Sequence, residues 1–380
     1  MEPVRYFQVN WADGMKINKD HFIALENVFN DKIRDNIATG INDYNYGLLP
    51  PLPGKSSSIK VAITADNENI IKVKLLECRA ITPGGARIEI LEDYQDAHGF
   101  TVPLAEAVLE LEGSKATDFY VLLTIQPFSR VPVGNADPSE EPPRYPYAVP
   151  EIKLHMMSSD QMAAKEMGSY YLSIGKMKLV NGQLEIDTEY IPPCCSVQSH
   201  SQLKDMHGKF DEFFSKLELN FITLLRKIKE KEQNHDLANA VSFLSSNMLA
   251  FLSNSILEYR WIDANLPPVV MFEKIARCAR ILKNEIDANA AEIKEELMNY
   301  IAEWCNLNPG EFEKILIDAI DFRYEHIRIR DTVFVMDQFA KVTSEFFDKL
   351  SALEYIGKKK DTGIFVKEQK QQNKSSFLAE

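Results

Sequence analysis

Residues 203–228 read LKDMHGKFDEFFSKLELNFITLLRKI. Apolar side chains fall at Leu203, Met206, Phe210, Phe213, Leu217, Phe221, Leu224 and Ile228, in steps of three and four. That spacing draws one stripe along an α-helix, because residues three and four apart stack on the same face. Lys204, Asp205, Lys209, Asp211, Glu212, Lys216 and Glu218 occupy the other faces, which gives the helix a solvent side. At 1.5 Å per residue it is a rod roughly 40 Å long. Most of what precedes it reads as strand and turn, and nearly everything after it reads as helix. The pattern predicts an α+β chain in which a β module precedes an antiparallel helical bundle.

The stripe is wider than one seam. Phe214 adjoins Phe213, Leu225 adjoins Leu224, and Leu219 and Ile222 add further apolar surface. Burying each large side chain contributes roughly 1.5–3 kcal/mol, so surface left over favours a second packing partner. Phe210, Phe213, Leu217, Phe221 and Leu224 are therefore the candidate seam, either within one bundle or between copies of the chain.

Upstream, residues 6–11 read as a short strand and Asp13 with Gly14 as a turn. Asn18 is placed to cap a helix carrying Phe22, Leu25, Phe29, Ile33 and Ile37 on one face, with Gly40 at its end. Alternating apolar positions at 59–63, 71–75 and 88–90 predict half-buried strands, and 118–126 (DFYVLLTIQ) a central one. Residues 130–150 hold six prolines, which predicts an extended loop or arm in place of helix or interior strand. Asn181 and Gly182 sit between two alternating runs and mark a hairpin.

Downstream, helical stripes cover 203–231, 237–261, a segment opened by Pro267 and Pro268, and 293–304. Asn308 and Pro309 open a fifth helix, and 333–353 carries a sixth. From residue 357 the tail is polar and lysine-rich, with Lys358, Lys359 and Lys360 as candidates for docking on an anionic partner or membrane face.

A chain of 380 residues suggests two or three domains, and 45% hydrophobic residues can supply their cores. A net charge of −13 argues against a nucleic-acid-binding body, which needs a basic face. The first nine residues are too short and polar for a signal peptide, and no run of about 18 apolar residues suggests a membrane span. Five cysteines without C-x-x-C spacing read as reduced thiols in a cytosolic protein.

Catalytic constellations are missing from the sequence. Neither HExxH, a phosphate loop nor G-x-S-x-G occurs, and His200 and His207 stand seven apart, too far for i,i+4 chelation. Asp66, Asn67 and Glu68 open like a calcium loop with Glu77 twelfth, but Ile70 and Ile71 occupy the positions that need an oxygen ligand and a glycine. The expectation is no catalytic residue, no metal and no cofactor.

The N-terminal stretch Trp11-Ala-Asp13-Gly14-Met15-Lys-Ile17-Asn-Lys-Asp-His21-Phe22 resembles the opening of the TssK family of type VI secretion baseplate subunits, whose pattern is Trp-x-Glu-Gly-Met-x-Leu-x-Pro-Gln-His-Phe. Lys19 and Asp20 depart from its Pro-Gln. Further matches follow in order: Tyr46-Gly47-Leu48, Pro83-Gly84-Gly85, Glu141-Pro142-Pro143-Arg144-Tyr145-Pro146 and Tyr190-Ile191-Pro192-Pro193.

The resemblance implies a homotrimer with an N-terminal antiparallel β-sandwich "shoulder" like that of phage receptor-binding proteins, a helical "neck" and a C-terminal "head". On this sequence those fall at 1–198, 199–307 and 308–356, followed by the tail at 357–380. It implies a structural adaptor at the inner face of the cytoplasmic membrane. The shoulder would dock on the wedge proteins TssF and TssG and the head on a membrane-complex component, TssL, TssM or a replacement. The head is shorter than the family's, which leaves room for a different docking partner. Trp11, Gly14, Met15, His21, Phe22, Tyr46 and Arg144 become candidate partner contacts. The rival reading is a receptor-binding protein that grips carbohydrate with Tyr145, Tyr147 and Tyr170.

Overall fold

A computed structural model describes residues 3–65, 70–91, 105–110, 116–164, 168–305 and 307–357. They divide into two compact units. One comprises Met1–His207, Trp261–Met271 and Arg323–Val333; the other comprises Gly208–Arg260, Phe272–Phe322 and Phe334–Glu380. Lys358, Lys359 and Lys360 lie outside the described residues, as do Asp66, Asn67 and Glu68.

The first unit opens with helix α1 (Lys19–Ala38) and continues as two antiparallel sheets. One sheet holds β1 (Gly47–Leu48), β2 (Ile59–Ala65), β3 (Ile70–Ile81), β4 (Arg87–Ile90) and β5 (Ala105–Glu110), with β3 pairing all four others. The other holds β6 (Asp118–Val133), β7 (Tyr147–Ser158), β8 (Tyr171–Val180) and β9 (Gln183–Ile186) in the order β7-β6-β8-β9. Between β7 and β8 lies the short helix α2 (Ser159–Ala164). Ile71, Val73 and Leu75 of β3 and Val121, Leu123, Leu172 and Ile174 of β6 and β8 are buried, the alternation a two-layered sandwich requires. The layers come close at Gly175, where an added Cβ would lie 2.8 Å from Ile63 Cδ1. Asn181 (φ 53°) and Gly182 (φ 83°) join β8 to β9 as the two-residue turn the sequence marks.

Two expectations for this unit change. Residues 6–11 form no strand, because the amides of Arg5 and Tyr6 donate to the Asp31 carboxylate instead of to a neighbouring strand. Residues 130–150 are not a plain loop: Arg130 pairs with Pro150 and Val133 with Tyr147, so the sheet continues as a ribbon. Prolines fit there because β8 pairs with β6 only as far as Thr124, leaving the ribbon with two strands and outward-facing ladder positions.

The second unit is helical, drawn from α3 (Ser201–Glu230), α4 (Asp236–Trp261), α5 (Pro268–Asp287), α6 (Ala291–Cys305), α7 (Pro309–Asp321) and α8 (Ile329–Ala352). Asn308 and Glu311 cap α7 reciprocally, Asn308 Oδ1 accepting from the Glu311 amide at 2.9 Å and Glu311 Oε2 from the Asn308 amide at 3.0 Å. Phe210, Phe213, Leu217, Phe221 and Leu224 are all buried within the single chain. Phe213 meets Phe339, Phe221 meets Phe347, and Phe214 meets Phe251 and Tyr259, all edge to face. The seam is thus closed by α4 and α8. The segment expected to form a reduced head supplies one wall of the same unit as α3, where Asn220 donates to Asp348 at 2.7 Å and Lys227 to the Leu353 carbonyl at 3.0 Å.

Candidate interaction surfaces

The helix α1 is laid down opposite to its apolar stripe. Its buried residues are Asn27, Val28, Asp31, Arg34 and Ala38, while Phe22, Phe29 and Ile33 are 55–59% exposed. The buried polar side is satisfied in detail. Arg34 Nη2 and Nε donate to Asp31 Oδ1 at 2.8 and 3.0 Å, and Asp31 Oδ2 accepts the amides of Arg5 and Tyr6 at 2.5 and 3.1 Å. Burial alone would raise the Asp31 pKa; the Arg5 amide, the Arg34 guanidinium and the Tyr6 amide outweigh it and hold the carboxyl below its ordinary range. The segment ahead of α1 is thereby tied down with Phe7 and Trp11 facing solvent. Gly85 (φ 81°) supports α1 from the sheet, since a Cβ there would lie 2.7 Å from the Arg34 carbonyl. Arg130 Nη1 adds a 2.6 Å ion pair to Glu26.

The other motif stretches of this unit are structural knots. Gly47 (φ 107°) passes so close to the Pro193 carbonyl that a Cβ would come within 2.1 Å. Leu48 donates to that carbonyl at 2.7 Å, and Cys195 to the Leu48 carbonyl at 2.8 Å. Tyr46 is buried, which removes it as a surface contact; its carbonyl accepts Nε2–H of the buried His326 at 2.8 Å, while His326 Nδ1 accepts the Tyr324 hydroxyl at 2.7 Å. With both ring nitrogens occupied in the neutral form, burial pushes the imidazole down to about 4.

The remaining candidates divide plainly. Trp11 and Phe22 are exposed, Met15 is half-buried, and Gly14 (φ 76°) forms the turn before it. His21 is a capping residue: its Nδ1 accepts the Asn18 amide at 3.2 Å, and Asn18 Oδ1 accepts the amides of Asp20 and His21. Arg144 stands in solvent at the end of the β6–β7 ribbon with Tyr145 and Tyr147, whereas Tyr170 is half-buried elsewhere.

In the helical unit the surface that sequence reasoning missed is on α4. Residues 237–257 contain no charged side chain. Their exposed line is Asn239, Phe243, Ser246, Ala250, Ser253 and Leu257, with Phe243 62% and Leu257 52% exposed. The signal was legible as a charge-free run. Among the described residues α4 alone is long and apolar enough to cross a bilayer, and half of that apolar window is buried against the bundle.

A cavity of about 400 Å³ in the first unit is lined by Asp118, Tyr120, Met162, Lys176, Ile327 and Arg328. Its ionisable groups are already paired, Lys176 with Asp118 at 2.9 Å and Arg328 with Asp331 at 2.6 Å. Burial pushes Asp118 up, but Lys176 and Thr117 outweigh it and keep the carboxyl below its ordinary range, ionised and unsuited to donate a proton. All five cysteines are free thiols, and no group of three or more possible metal ligands occurs among the described residues.

No protein-family model matches the sequence, and no curated protein does so. Solved structures do. A crystal structure of TssK is matched over 90% of this chain and 69% of its own, at a TM-score of 0.50 and 13% identity. A baseplate complex from the type VI secretion system is matched over 90% and 99%, at 0.49 and 12%. TssK from the type VI secretion system of EAEC, in complex with a nanobody, is matched over 86% and 100%, at 0.45 and 13%. The fold of this chain, antiparallel sheets followed by a helical region, is TssK-like.

Proposed function

We propose that the chain is a structural adaptor of a type VI secretion baseplate and not an enzyme: a cytoplasmic homotrimer joining the TssF–TssG wedge to the membrane-anchoring complex. The observation that carries this reading is the TssK-like fold over 90% of the chain. The motif series in the first half supports it, as does the pairing of the ionisable groups lining the cavity.

Association with other chains has physical support in both units. Phe7, Trp11, Phe22, Phe29 and Ile33 leave an apolar surface in water on the first, and the charge-free line of α4 does so on the second. The small residues Ser246, Ala250 and Ser253 on that line allow close approach of another helix. On this reading the α4 face holds copies together, and Trp11 and its neighbours meet wedge proteins. The membrane-side contact, TssL, TssM or a replacement, falls to the region after residue 309.

Light scattering tests the first element: a trimer of the 43.3 kDa chain has a mass of about 130 kDa. Co-purification with a TssF–TssG complex tests the second. A monomer that leaves TssF–TssG uncaptured would falsify the proposal.

A further inference from the structure

In the helical unit the described residues end at Gly357, against α6. The Gly357 amide donates to the Tyr300 hydroxyl at 3.2 Å, and the Ile356 amide to Gln233 Oε1 at 2.9 Å. Gln233 is only 9% exposed, and its Nε2 meets no acceptor among the described residues. A buried amide donor left without an acceptor is costly. The point where the chain leaves the unit thus has a place for one more carbonyl, and the residues after Gly357 carry the next ones in line.

The flank of α6 beside Tyr300 is acidic. Glu292, Glu296, Tyr300 and Glu303 follow at steps of four, four and three, which sets them in one line along the helix. Glu292, Glu295 and Glu296 are exposed, and among the described residues none of the three forms an ion pair. The cations nearby are engaged. Lys294, the one lysine of α6, lies 2.6 Å from Asp287, Lys231 pairs with Glu354 at 3.4 Å, and Lys349 pairs with Glu345. The turn from α3 to α4 adds exposed Glu230, Glu232 and Asp236 against an exposed Lys229.

The first three residues past Gly357 are Lys358, Lys359 and Lys360. Three extended residues span about 10 Å. Glu296 and Glu292 lie about 6 and 12 Å along the helix axis from Tyr300. Sign and reach therefore agree. We propose that Lys358, Lys359 and Lys360 lie along the Glu292–Glu296 flank of α6 in their own chain, pinned at the exit by a carbonyl on Gln233 Nε2. This flank shares no residue with the α1 and α4 surfaces, and the inference does not depend on trimer formation. An anionic partner or membrane face then reaches the three lysines only by displacing them from α6.

The test uses the full chain at low salt. A carbodiimide joins lysine to carboxylate where the two touch, so peptide mapping is expected to find links from Lys358–Lys360 to Glu292 or Glu296. An equal mixture of isotope-labelled and unlabelled protein separates one chain from two, because links within a chain never join a labelled peptide to an unlabelled one. In parallel, Glu292→Gln with Glu296→Gln is expected to speed trypsin cleavage after Lys358, Lys359 and Lys360 about fivefold, with the melting temperature unchanged. Mixed-isotope links would move the lysines onto a second copy and overturn the seat within one chain. Links scattered over other carboxylates, or cleavage as fast in the parent chain as in the variant, would overturn the α6 flank as the seat.

Discussion

Asp31 is the residue on which the N-terminal surface turns. A buried carboxylate with one guanidinium and two amides around it is balanced only while all are present, and removing its charge takes from the buried Arg34 its nearest carboxylate, with Asp35 4.0 Å away. Asp31→Asn is therefore expected to destabilise the first unit by about 3–5 kcal/mol in urea unfolding and to make the peptide ahead of α1 the first site of proteolysis. His326 gives a separate signature. Its pKa is near 4 in the folded chain against 6.5 ordinarily, so the unfolded chain binds the extra proton between those values. Stability is then full above about pH 6.5 and declines as pH falls towards 4, by on the order of 3 kcal/mol in total. Asp31 acts in the same direction but only below its ordinary 3.8, so the two windows do not overlap. In His326→Gln the slope between pH 6.5 and 4 should become markedly shallower, the remainder belonging to His200, whose imidazole burial also holds below its ordinary value; an unchanged slope refutes the assignment. At this scale the sequence disclosed local chemistry well, as in the Asn18 and Asn308 caps, because a cap is made by residues two or three apart. The Asp31 and His326 networks join residues 25 and 280 apart and left no local trace.

At the scale of elements, apolar period located α1 but did not say which side of it is covered. A period says that a stripe exists; which side is covered depends on what the rest of the chain offers, and here the amides of Arg5 and Tyr6 made the polar side the buried one. Proline density over residues 130–150 excluded interior strands but allowed edges, and of the loop or arm it left open the structure forms an arm, the two-stranded ribbon. The glycine motifs were legible as turns but not as joints. Gly47 is the sharpest case, holding positive φ directly against the Pro193 backbone, so that Gly47→Ala must part β1 from the 190–195 segment. Gly54, also at positive φ (84°), has nothing within 4 Å of an added Cβ. Gly54→Ala should cost only about 1 kcal/mol, the strain of the backbone conformation itself, whereas Gly47→Ala should cost several times that or abolish folding. Paired melting curves decide it: similar losses at both sites would mean the close approach at Gly47 carries no weight.

For the molecule as a whole, the question is which apolar surface makes one subunit and which makes an assembly. The 203–228 stripe answers the first part. Phe221 is fully buried and edge-on to Phe347, so Phe221→Ala opens a cavity inside the bundle and should cost about 3–5 kcal/mol of stability whatever the oligomeric state. The α4 line behaves oppositely. Phe243 and Leu257 lie outside the fold, so replacing both with Glu sacrifices little packing within the subunit. In the proposed trimer the same two carboxylates would be forced into an apolar contact between copies, where an unpaired charge costs several kcal/mol. Phe243→Glu with Leu257→Glu is therefore expected to keep the melting temperature within about 2 °C while the mass by light scattering falls from about 130 kDa to the 43.3 kDa of one chain. If the mass holds and the melting temperature drops instead, the α4 line belongs to the interior of the subunit and some other surface joins the copies.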